Sequence, residues 1–182
     1  MKIQQKKMLN EVLKNIGRFV LLVLLQGLIL NEVNLWQGIA IPYLYILFIL
    51  MLPLETPRWL ELLIGLVLGL TIDMFTNTLG MHASACVVLA YVRPLYLKGI
   101  APRDGYEFGQ RPGIQDLGLS WFIKYAGVLI LVHHFWLFFV EVYSLKGFFN
   151  TLLRVFASSI LTLILAIISQ YLIMTKRSSR HI

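Results

Sequence analysis

The sequence predicts an all-α polytopic membrane protein with six transmembrane helices and both termini on the cytoplasmic side, and three observations predict it. Hydrophobic residues fill 58% of the 182 positions and charged residues only 14%, with a mean hydropathy of +0.76, which is more apolar surface than a soluble domain of this length can hide. The apolar residues fall into blocks of about 20, the length that crosses a hydrocarbon core about 30 Å thick. The basic residues bracket those blocks, on one side far more than the other. Together the blocks and their connections occupy 1–182 as a single transmembrane domain, which excludes a separate catalytic or nucleic-acid-binding domain.

Block one is expected over about 16–35. The basic tail before it (Lys2, Lys6, Lys7, Lys14) has the character of a secretory signal, but no Ala-x-Ala cleavage site follows, so the block reads as an uncleaved helix. Block two, about 38–54, carries Pro42 and Pro53 near its ends, where a helix tolerates proline. Block three, about 60–78, is broken by Asp73 and reads either as a full span or as a re-entrant hairpin. Block four, about 80–96, opens at Gly80 and closes on Arg93 and Pro94, which mark a membrane exit. The segment 97–120 is rich in Gly, Pro and charge and forms the long cytoplasmic loop. Blocks five and six, about 121–143 and 148–174, are long enough to span with some tilt.

Orientation follows from the excess of Lys and Arg in short cytoplasmic segments. With six spans, fourteen of the sixteen basic residues fall on one side and only Lys146 and Arg154 on the other. A re-entrant block three would scatter them, so the count selects six crossings. Trp59, Trp121 and Tyr171 then mark the inner surface, and Trp36, Tyr43 and Tyr143 the outer. Trp136 fits neither belt. The net charge of +7 is explained by this topology and by anionic lipid, so nucleic acid is not expected as a partner. The single cysteine, Cys86, permits neither an intramolecular disulfide nor a cysteine-based zinc site.

Ionisable groups at membrane depth are costly unless paired or wet. Glu32, Asp73, His82 and Glu141, with Asn77, are placed near the outer ends of their helices, as a candidate extracytoplasmic polar cluster or as separate groups at headgroup level. Gly65 and Gly69 stand four apart on one helix face, which Asp73 extends. Such a face lets a second backbone approach closely, whether from the same chain or from a partner. His133 and His134 suggest metal only weakly, because adjacent helix positions point about 100° apart and no second helix supplies a histidine at that depth. One of the pair is expected to bond inside the bundle and the other to reach the interface. Gln26 and Gln170 are expected to bond between helices. No nucleophile-base pair, paired carboxylates or phosphate-binding loop is evident, and no cofactor is expected.

Several of these residues carry a family resemblance. Gln26, the run PYLYILFILMLP from Pro42 to Pro53, and GLVLGLTIDMFTNTLGMHASA from Gly65 to Ala85, with Gly69, Asp73, Gly80 and Ala83 in order and Arg93-Pro94 closing the fourth block, resemble the rod shape-determining MreD family of bacterial inner membranes. The long 97–120 loop departs from the family pattern, and blocks five and six match in layout alone. The resemblance implies a non-enzymatic component of the lateral cell-wall elongation complex that binds the single-span protein MreC. Through it the chain would be associated with MreB filaments, the SEDS glycosyltransferase and its penicillin-binding transpeptidase. It also implies that Gly65, Gly69, Asp73, Gly80, His82 and Arg93 belong to the interface. The alternative is a substrate-binding membrane subunit of a small-molecule transporter of the energy-coupling-factor kind, with the outer polar cluster lining its cavity.

Overall fold

The computed structural model describes residues 2–33, 35, 38–143 and 147–178, with side chains described between 13 and 173. The expectations for Trp36, Lys146 and Arg180, and for the side chains of Lys2, Lys6, Lys7, Lys176 and Arg177, lie outside the described residues. The order is α1 (Lys2–Leu28), α2 (Leu47–Leu50), α3 (Arg58–Thr76), α4 (Met81–Gly99), α5 (Ile114–Leu117), α6 (Leu119–Val142) and α7 (Phe148–Ser178), with single 3-10 turns at Leu30–Glu32 and Leu44–Ile46. Four helical stretches are long and apolar enough to cross a membrane: Leu13–Glu32, Arg58–Thr76, Leu119–Val142 and Phe148–Ile173.

The bundle has two ends. At one, called here the tail end, α3 begins, α4 stops and the 100–118 loop lies. At the other, the hairpin end, α3 turns into α4 and α6 gives way to α7. The α3–α4 hairpin is the tightest unit, for a reason visible in its glycines. A Cβ at Gly69 would stand 2.3 Å from Ala83 Cα, and one at Gly65 would stand 2.9 Å from the Cys86 carbonyl oxygen. Only glycine allows two helix backbones this close, and dispersion contact is the return. Asn77 ends α3 in the left-handed region at φ 53, and Gly80 at φ 79 redirects the chain into α4. Block three is therefore one unbroken helix, with Asp73 inside it. Helix α4 runs on past Pro94 to Gly99, so Arg93 and Pro94 lie within the helix and not at its end.

Block two departs most from expectation. Between Ala40 and Pro53 the chain is irregular at 41–43, makes one 3-10 turn, then a single α turn, and is buried throughout 42–50. Proline explains the start: Pro42 has no N–H and pushes the residue before it out of the helical region. The surrounding helices supply the missing partners. Ser158 Oγ and Thr162 Oγ1 on α7 accept the N–H groups of Ile41 and Tyr43, each at 3.0 Å, and Gln26 Nε2 donates to the Pro42 carbonyl at 3.0 Å. Enclosure by protein in this way satisfies backbone groups that an irregular segment leaves without helical partners.

Block one also ends sooner than expected. Helix α1 stops at Leu28, and Leu35 and Ala40 then exchange backbone hydrogen bonds, turning the chain back into the bundle. The 100–118 loop is anchored in two places: Gly109 N–H donates to Glu55 Oε1 at 2.7 Å, and the Tyr106 hydroxyl donates to the Leu97 carbonyl at 3.0 Å.

Candidate functional site: two buried polar networks

The hairpin register sets both networks. Steps of four back along α3, from Asp73 through Gly69 and Gly65 to Glu61, are matched by steps of three to four forward along α4, from His82–Ala83 through Cys86 and Ala90 to Arg93. The same antiparallel packing that brings glycine against alanine in the middle brings a charge to each end of the contact.

At the tail end lies Arg93, wholly enclosed at 0% exposure. Its Nη1 pairs with Glu61 Oε1, its Nη2 donates to the Leu52 carbonyl, and its Nε donates to the Tyr125 hydroxyl at 2.8 Å. Tyr125 in turn donates to the Leu50 carbonyl at 2.8 Å. One guanidinium thus joins α3, α4 and α6 to the last turn of block two, whose carbonyls lack helical partners. Read from the sequence as marking a membrane exit and as an interface residue, Arg93 is the central cation of a buried network. Glu61 supplies the counter-charge that makes this burial tolerable.

At the hairpin end Asp73 is spent on the start of α4. Its Oδ1 accepts the His82 N–H at 3.0 Å and the Thr78 hydroxyl, and its Oδ2 accepts the Ala83 N–H at 2.9 Å. A carboxylate at a helix N-terminus satisfies orphan donors and meets the positive end of the dipole. Gly65, Gly69 and Asp73 therefore face α4 of the same chain, and of the two occupants this face could take, the structure gives it the intramolecular one.

Beneath this cap lies a chain of rings. The Tyr45 hydroxyl sits between His82 Nδ1 and His133 Nε2, 2.9 Å from each. His134 bonds through Nδ1 to the Ile130 carbonyl at 2.8 Å and through Nε2 to Thr162 Oγ1 at 3.2 Å. A carbonyl can only accept, so His134 carries its proton on Nδ1, and the neutral ring takes the Thr162 hydroxyl proton at Nε2. Both His133 and His134 are thus buried and bonded inside the bundle, and neither reaches the interface. His82, expected at the outer end away from them, is instead joined to His133 through one phenol. The separation was misjudged because Tyr45 belongs to the irregular segment, whose depth helical counting does not give. Among the described residues no three of His, Cys, Asp or Glu lie close enough to hold a metal ion.

A pocket of about 150 Å³ opens over this network, lined by Tyr43, Thr76, Thr78, His82 and Glu141, with Met81 and Leu137 as its apolar wall. Of the expected outer cluster, the structure brings together His82 and Glu141 at the pocket, with Asp73 one bond behind Thr78. Asn77 is exposed in the turn and Glu32 is exposed beyond α1. Glu141 pairs with Arg154 at 3.3 Å, and the Arg154 guanidinium lies 4.5 Å over the Phe138 ring. Trp136, which fitted neither aromatic belt, donates to Ser84 Oγ at 3.2 Å. Gln26 and Gln170 do bond between elements, to Pro42 and to the Met51 sulfur respectively.

Sequence reasoning missed Glu61, Tyr45 and Tyr125. For Glu61 a signal existed: extending the Gly69–Ala83 register toward the tail end aligns it with Arg93. For the two tyrosines there was none, since an apolar run containing tyrosine reads the same whether or not the hydroxyl is used. Comparison of the chain with protein-family models, with curated proteins and with solved structures gave no match.

Proposed function

We propose that the chain is a non-enzymatic scaffold of the bacterial rod complex, a multi-pass protein of the cytoplasmic membrane that docks the single-span protein MreC and, through it, the elongation glycosyltransferase, transpeptidase and MreB. In this reading α4 and the segment 40–52 join the four apolar helices to make six passes with both termini cytoplasmic, which keeps the basic excess on one side. The observation that carries it is the uneven enclosure of the helices. Only 17% of the apolar stretch of α1 is buried, against 33 to 44% for the other three. Leu13, Ile16, Leu21, Leu24 and Leu28 are all exposed, an apolar face wide enough for one more helix. The glycine face is consumed within the chain, so docking falls to the outside of α1. The family resemblance supplies the partner.

The test is co-purification from membranes. MreC should be recovered with the full chain, and Leu21→Trp with Leu28→Trp should reduce that recovery while leaving the melting temperature unchanged. Gly69→Leu should lower recovery only in proportion to the folded protein lost. Folded chain that retains no MreC, or full recovery with both tryptophans in place, would count against the reading.

A further inference from the structure

We propose that the pocket at the hairpin end binds a small primary ammonium compound that also carries an oxygen acceptor, chemistry shared by free ethanolamine and by the phosphatidylethanolamine headgroup. The pocket is built for a polar guest. His82 and Tyr43 are 3% and 8% exposed and both line it, and the Tyr43 hydroxyl and His82 Nε2 make no hydrogen bond to another described residue. Neither atom is among those sealed from solvent, so both remain free to bond whatever occupies the pocket. The volume of about 150 Å³ is well above the roughly 10–15 Å³ that one water needs, room for a two-carbon amine.

The directions of the hydrogen bonds select the guest. The Thr78 hydroxyl gives its proton to Asp73, and the Thr76 hydroxyl gives its proton to either the Ile72 carbonyl or Thr78 Oγ1. Both threonine oxygens therefore offer lone pairs to the pocket, and Glu141 offers a carboxylate. Two carboxylates, Asp73 and Glu141, stand near the pocket against one guanidinium, Arg154. A wall of acceptors with that balance of charge favours N–H donors on a cation.

The opposite wall comes from the ring chain. His133 Nδ1 is buried without a partner, and a bare ring nitrogen is the cheaper orphan than an N–H. That places the His133 proton on Nε2, donated to the Tyr45 oxygen, so that the Tyr45 hydroxyl donates to His82 Nδ1. His82 then carries its proton on Nε2 as a donor for an oxygen of the guest. An ammonium toward Glu141 and the threonines, and an oxygen toward His82, together describe an amino alcohol or its phosphoester.

The experiment uses the full chain purified in detergent, titrated with ethanolamine, choline and ethylamine, and separately reconstituted in nanodiscs of phosphatidylethanolamine or phosphatidylcholine followed by native mass spectrometry. Ethanolamine should bind saturably. Choline, which has no N–H, and ethylamine, which has no oxygen, should each bind about tenfold or more weakly, as should ethanolamine to Glu141→Gln and Tyr43→Phe, the effect of losing one charge-assisted hydrogen bond. Both variants are at the rim or remove a single hydroxyl, and their melting curves verify folding. Saturable binding of ethanolamine alone identifies a soluble amine as the guest, and retention of phosphatidylethanolamine alone identifies a lipid. Absence of both, equal affinity for choline, or unchanged affinity in folded Glu141→Gln and Tyr43→Phe would overturn the proposal.

Discussion

The two ends of the α3–α4 hairpin place a charge in the same kind of position and use it in opposite ways. At the tail end Arg93 is surrounded on all sides: a carboxylate, a phenol and a main-chain carbonyl absorb its three nitrogens. At the hairpin end Asp73 is equally well supplied by two backbone N–H groups and a hydroxyl, but the network continues through Thr78 and His82 to a pocket where polar atoms are left over. At the tail end the chain of bonds stops inside the protein, with Glu61 Oε2 sealed off without a partner among the described residues, whereas at the hairpin end it runs out to a pocket. The difference between the two buried charges is whether the hydrogen-bond chain terminates inside the protein.

Removing Arg93 should break the comparison most severely. Arg93→Met leaves Glu61 as an enclosed carboxylate without a counter-charge, a loss of about 3–5 kcal/mol in unfolding experiments in mixed micelles. Arg93→Met combined with Glu61→Leu should recover much of it, because the isolated charge is the costly element. A double variant no more stable than the single one would show that the guanidinium acts through the carbonyls of block two and not through Glu61.

Asp73→Ala should cost less, about 1–2 kcal/mol, the usual value of a lost helix cap, because no opposite charge is left enclosed without its partner. Its melting midpoint should therefore fall less than that of Arg93→Met. A larger fall would mean that the hairpin end is as closed as the tail end. At Tyr45→Phe two hydrogen bonds go at about 0.6 kcal/mol each, together about 1.2 kcal/mol, within the range expected for Asp73→Ala. Its distinguishing signature is spectroscopic: with the ring chain cut, His82 no longer has a fixed proton position, so the imidazole nitrogen resonances of His82 and His133 should both move. Shifts confined to His133 would sever the proposed link between the buried rings and the pocket.

These contrasts were only partly legible in the sequence. The long apolar helices α3, α6 and α7 follow from block length within a few residues, and the Gly65–Gly69 spacing foretold a close helix contact. Periodicity carries that much because the bilayer and the helix each impose a length scale. Block two was not legible, since its composition is that of a helix and its conformation depends on hydroxyls at Ser158 and Thr162, more than a hundred positions away. Asp73, His82 and Glu141 were recognised as costly groups, and the first two hold neighbouring positions in one network. The role of Arg93 was misread because positive charge near a helix end ordinarily signals an interface. Nothing local distinguishes an arginine that snorkels from one that meets Glu61 on the neighbouring helix.

The dependence of block two on α7 has a consequence for biogenesis. Ile41 and Tyr43 rely on acceptors that the ribosome adds 117 and 119 residues later. Until then those amides have no protein acceptor on that side, in an environment where bare peptide groups are expensive. The nascent segment must wait in water, at the translocon or in a provisional helix, and settle only after the final helix is threaded. Truncation before Ser158 should accordingly leave a product that quality-control proteases clear, even though every earlier apolar stretch has been synthesised in full.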